Sequence, residues 1–303
     1  MSDRVSADTG TGATALLVGQ MLLCSLLWAP AFLLMKRIGT DLSPLGVTAL
    51  RDTMGGGLFA IWFLARGQRV LPKGREWYDW AILGTLQVIV PNTLTVYALA
   101  EITTSLAALI QTATPLIVAC LAPLLFASEA MSRRRALGIA LGLAGVLVLI
   151  GPTVYAATAG STAGVLAMAC VPVSYALGNL YVRAIPHAEP ARLAYGQLTF
   201  SALPAILLTL ALQGSDGFAP AADHMLELVA LALFATALPL ALFMHLLRTA
   251  GPTLGTMVGY LIPLWVILLG ALLADERLEL HEMIGGLTLI AGLLIASTTR
   301  RRA

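Results

Sequence analysis

Charge is what this sequence has least of. Asp, Glu, Lys and Arg make up 11% of its 303 residues, against 58% hydrophobic, and mean hydropathy is +0.87. A soluble domain carries about a quarter charged residues, so an ordinary water-facing surface is excluded. The net charge of +2 is too small to hold a nucleic acid. Cysteine is equally sparse. Cys24, Cys120 and Cys170 each lie in an apolar run, with no CxxC spacing and no histidine cluster. That excludes a disulfide framework or a thiolate metal site, and the three read as small buried hydrophobes. Catalytic motifs are missing too. Neither HExxH nor GxSxG occurs, and no motif pairs two membrane aspartates. The chain therefore reads as no enzyme, with no cofactor and no metal.

Long apolar runs are what the sequence has instead. A bilayer span takes about 20 mostly apolar residues. Such runs are expected near 14–35, 44–65, 78–99, 103–126, 134–152, 162–182, 191–212, 225–247, 250–273 and 281–299. They lack the period of two that a barrel needs, so they predict an all-α membrane protein of ten transmembrane helices. The first run contains "APA", which mimics a signal-peptide cleavage site. However, its leader "MSDRVSADTG" has one Arg against two Asp, and the apolar run continues past the mimic, so it reads as a first span. With the amino terminus placed in the cytoplasm, fourteen of the eighteen Lys and Arg fall on that side. The positive-inside rule then puts both termini in the cytoplasm.

The chain repeats itself. At a shift of 147 residues Trp28 falls on Tyr175, Lys36 on Arg183, Glu129 on Glu276, Gly138 on Gly285 and Gly145 on Gly292. Pro115 matches Pro263 at a shift of 148. The expected organisation is a cytoplasmic tail (1–13), a first repeat of five spans (14–152), a second (162–299) and a basic tail (300–303). Five is odd, so the second repeat enters the membrane inverted, an architecture that recurs in secondary transporters. Pro115 and Pro263 would then kink the fourth and ninth spans at related depths, each freeing a carbonyl beside protein or water. Glu129 and Glu276 would sit at the membrane edge, where a carboxylate favours a helix start.

The paired stretches "TPLIVACLAPLLFASEAMSRRRALGIALGLAGVLVL" and "IPLWVILLGALLADERLELHEMIGGLTLIAGLLI" resemble the two EamA-type repeats of the drug/metabolite transporter superfamily. So does "LLWAPAFLLMKRIG" followed by "SPLGVTALR". The resemblance implies a ten-helix bundle, a cavity lined by spans 1, 3, 4, 6, 8 and 9, and export of small metabolites such as amino acids. A bacterial inner membrane fits this reading.

Several residues could do the work. Uncharged polar groups inside spans need partners, and Asn92, Gln111, Thr114, Asn179 and Tyr260 are expected to face a neighbouring helix or a substrate. Trp28, Phe32, Tyr175 and Trp265 could form an apolar wall or simply pack. Tyr97 and His245 match at a shift of 148 and would stand at opposite mouths of the cavity. Arg51 and Asp52 lie about 10 Å into the second span, and intramembrane charges are paired or face water. Asp52 is a candidate for proton coupling. Glu101 is a second, although a solvated loop charge is the plainer reading. Glycines at four-residue spacing, Gly138 with Gly142 and Gly251 with Gly255 and Gly259, suit close helix packing. The expected partners are a small-molecule substrate and the lipid bilayer. Oligomeric state stays open. A flippase for a lipid-linked sugar is the alternative, given Arg51, Lys36 and Arg37.

Overall fold

The computed structural model describes residues 3–127, 131–156, 161–185, 189–273 and 280–297. Glu129, Asp275, Glu276 and the basic tail expected at 300–303 lie outside them. Among the described residues every regular element is helical: α1 Asp3–Trp28, α2 Ala31–Ile38, α3 Pro44–Ala65, α4 Glu76–Leu83, α5 Val90–Glu101, α6 Thr104–Gln111, α7 Ala113–Leu125 and α8 Arg133–Ala156. The chain continues with α9 Thr162–Ala184, α10 Pro190–Gln213, α11 Met225–Ala232, α12 Leu238–Thr249, α13 Pro252–Gly255, α14 Val258–Leu273 and α15 Leu280–Ser297. Among the described residues six stretches are long and apolar enough to cross a membrane: Thr14–Ile38, Glu76–Glu101, Leu106–Leu125, Thr162–Ala184, Pro190–Ala222 and Met225–Thr249.

Helix starts follow local chemistry. Ser43, Thr103 and Ser161 hold extended backbone, and their hydroxyls accept from the N–H of Gly46, Leu106 and Gly164. Pro44 then fills the first turn of α3, where its missing N–H costs nothing. Interruptions follow proline. The ring of Pro115 opposes the carbonyl of Gln111, and the helix breaks at Thr112 between α6 and α7. Pro263 stands in the same relation to Gly259, behind the break between α13 and α14. Pro91 and Pro239, matched at a shift of 148, each follow a π-helical turn, Gly84–Ile89 and Leu233–Ala237. A wide turn of this kind frees backbone carbonyls inside a helix.

The halves interlock helix by helix. The equivalent helices α8 and α15 cross antiparallel through glycine. A Cβ on Gly138 would meet the Gly292 carbonyl at 2.6 Å, and one on Gly145 would meet the Gly285 carbonyl at 2.8 Å. The equivalent α3 and α10 also run antiparallel, with Gly56 against Thr199 and the Phe63 ring tilted against Tyr195 at 5.4 Å between centroids. Packing then alternates: α1 lies on α12 and α5 on α9, so the first helix of each half touches the helix that follows the π turn in the other. Cys24 is buried as expected, whereas Cys120 and Cys170 are exposed on the bundle's apolar outside. A thiol is apolar enough for that surface, so burial was not required.

Candidate functional site

Where the halves meet, a cavity with about 690 Å³ of unfilled space, counting its mouth, is lined from both sides. The first half contributes Trp28, Phe32, Met35, Arg51, Asn92, Thr95, Gln111 and Thr114. The second contributes Tyr175, Asn179, Phe243, Thr256 and Gly259. Gln111 and Gly259, each four residues before its proline, are both on this wall, and the Thr114 hydroxyl donates to the Gln111 carbonyl at 3.0 Å. A smaller cavity adjoins it, sharing Trp28, Arg51, Asn92, Tyr175 and Phe243 and adding Gln87 and Thr236.

Arg51 organises the wall. It is 6% exposed and reaches from α3 across both halves. Its Nε donates to Thr236 Oγ1 at 2.6 Å, Nη1 to Asn92 Oδ1 at 3.1 Å and to Met35 Sδ at 3.2 Å, and Nη2 to the Ala235 carbonyl at 3.3 Å. That last carbonyl is the one Pro239 strips of its helical partner. Thr236 also donates to Leu231 O at 2.7 Å, closing the π turn. The matching turn of the first half is held the same way. Ser174 donates to Leu86 O at 2.7 Å, and Gln87 Nε2 to Asn179 Oδ1 at 2.7 Å. Each π turn is thus fixed by side chains of the opposite half. Asp52 is fully buried behind the wall, accepting from Ser201 Oγ and, at 3.5 Å, from Asn92 Nδ2. It does not border either cavity.

Of the residues picked from the sequence, Trp28, Phe32, Asn92, Gln111, Thr114, Tyr175 and Asn179 come together on the cavity. Three do not. Tyr260 is fully buried with its ring against Gly142 of α8, since it sits one position, about 100° of helix turn, from Gly259. Tyr97 is 42% exposed on the outside of α5. His245 is half-buried on α12 and does not border the cavity. Trp265 donates to Ser25 Oγ at 2.9 Å as a packing residue. Glu101 is exposed at the end of α5. Met35, Phe243 and Thr236 were missed; the match of Pro239 to Pro91 was the one signal pointing at the π turn that holds Thr236.

Polar clamps join the halves at each end of the bundle. At one end Glu76 accepts from Arg69 at 2.6 Å and from Arg192 at 3.0 Å, and Asp79 accepts from the Tyr181 hydroxyl at 2.7 Å. The hydrogen bonds that Arg69 donates to Glu76 push its guanidinium above its usual range. At the other end His224 lies 2.7 Å from Asp41, and Arg37 lies 3.5 Å from Glu227. A shift of 148 carries Glu76 onto His224 and Asp79 onto Glu227. The two clamps occupy equivalent positions in the repeat.

The model of the EamA-like transporter family matches twice, over residues 15–151 and 162–298. YedA, an uncharacterized inner membrane transporter of Escherichia coli strain K12, is 26% identical over 284 residues, covering 92% of this chain and 90% of its own. The same protein from E. coli O157:H7 matches equally. A solved crystal structure shares the fold, with a TM-score of 0.75 at 21% identity over 94% of this chain and 96% of that one.

Proposed function

Because the chain belongs to the EamA-like transporter family, we propose that it is a secondary transporter exporting small metabolites across a bacterial inner membrane by alternating access. The two repeats would form ten spans with inverted orientation and cytoplasmic termini, a reading supported by the antiparallel α8–α15 and α3–α10 pairs and by the placement of Lys and Arg. The observation that carries transport is the cavity itself. It lies between the halves, and each half's proline-interrupted helix contributes a lining residue, Gln111 or Gly259. Rocking one half on the other would expose this wall to each side in turn. Asp52, one hydrogen bond from the wall through Asn92, is the acid assigned to proton coupling.

The test compares media from cells overexpressing the chain with media from empty-vector cells, by untargeted mass spectrometry. A Gln111→Trp variant, which fills the cavity, and a Tyr97→Ala variant on the outside run alongside at equal membrane abundance. A few small metabolites are expected to rise outside, to lose that rise in Gln111→Trp and to keep it in Tyr97→Ala. Identical media from all strains would remove export and bring lipid-linked substrates forward.

A further inference from the structure

The cavity wall is chemically lopsided. Among the described residues that border either cavity, Arg51 is the one with a formal charge. No carboxylate borders them; Asp52 is turned away and held by Ser201 and Asn92. A ligand ammonium would therefore lose water with no anion to replace it, which is expensive in a low-dielectric site. A ligand carboxylate meets the opposite situation. Arg51 Nη1 spends a donor on the Met35 thioether, a weak acceptor that itself faces the cavity. A carboxylate oxygen is a far stronger acceptor for a guanidinium N–H and would displace the sulfur. Around Arg51 the wall is aromatic, with Trp28, Phe32 and Phe243. On the same wall the Gln111 amide and the Asn179 amide nitrogen, whose oxygen accepts from Gln87, offer neutral polar groups suited to a hydroxyl or a carbonyl.

From this we infer that the site selects a monocarboxylate with an apolar or aromatic body and no ammonium group, a hydroxy or keto acid rather than an amino acid or a cation. The inference rests on the transport reading above and narrows its substrate. Arg51 is the specificity-determining residue, and Met35 is the placeholder the carboxylate replaces.

Three probes of one shape decide it: 3-phenyllactate, phenylalanine and phenethylamine, carrying an anion, a zwitterion and a cation. Each is titrated against the purified full chain in lipid nanodiscs, with the rise in thermal midpoint giving its affinity. Phenyllactate is expected to bind at least about tenfold more tightly than phenylalanine, and phenethylamine not at all. Arg51→Gln should abolish phenyllactate binding, but it also strips the π turn of a partner. Met35→Glu avoids that problem by giving Arg51 a resident carboxylate. It is expected to fold, to lose phenyllactate and to gain phenethylamine. Three results would overturn the inference: phenylalanine or phenethylamine binding as tightly as phenyllactate, Met35→Glu leaving phenyllactate binding intact, or no response to any probe. Export of some other metabolite in the medium comparison would still stand under each of these, so failure here is separable from failure of the transport reading.

Discussion

Asp52 and Glu101 are both acids of the first half, and their surroundings separate them. Asp52 is fully buried, with Ser201 and Asn92 donating to it. Glu101 is exposed at a helix end. Transport driven by a proton gradient should therefore lose its pH dependence in Asp52→Asn and keep it in Glu101→Gln, measured as uptake into inverted vesicles across a pH series. An unchanged profile in Asp52→Asn would remove this residue from coupling. Ser201→Ala takes away a donor to a buried carboxylate and should cost about 1–3 kcal/mol of stability, read from thermal unfolding in nanodiscs.

At the scale of elements, glycine decides how closely helices approach and which wall stays open. Gly292 leaves no room, since a Cβ there would lie 2.6 Å from the Gly142 nitrogen of α8. Gly259 has nothing within 4 Å of the same position and borders the cavity. Leucine at each should act differently. Gly292→Leu is expected to abolish folded protein, because backbone rather than a flexible side chain is in the way. Gly259→Leu should fold with stability unchanged within about 1 kcal/mol, since the helix gains a better former, yet reduce export more than tenfold by filling the site. Membrane yield and the medium comparison report the two outcomes. Equal behaviour of the two variants would contradict the packing described here.

The whole molecule is two halves held by three sets of cross-links: the glycine seam, the Arg51 network between them, and a polar clamp at each end. Alternating access needs the end clamps to open in turn. Cysteine pairs replacing Glu76 and Arg192 at one end, or Asp41 and His224 at the other, joined by a short cleavable bis-thiol cross-linker that spans the lost side chains, should stop transport, with recovery on cleavage. Transport that continues with either end locked would show that the clamps do not gate. The ends also differ chemically. One clamp pairs the Glu76 carboxylate with two guanidinium groups, whereas the other pairs Asp41 with the imidazole of His224.

Sequence alone determined the parts and the plan. Apolar runs must become helices in lipid because their backbone groups have no water to bond. The run expected at 44–65 therefore coincides with α3. The 147–148 residue shift already paired the prolines that break α6 from α7 and α13 from α14. What only the tertiary structure decided is which way each helix turns. Gly259 and Tyr260 are neighbours in sequence, yet one borders the cavity and the other packs against Gly142. That choice depends on the facing helix, and hydropathy is blind to it when every face is apolar. The partners of Arg51 were hidden for the same reason: Thr236 and Ala235 lie in the other half, more than 180 positions along the chain, and no local pattern encodes a contact at that distance.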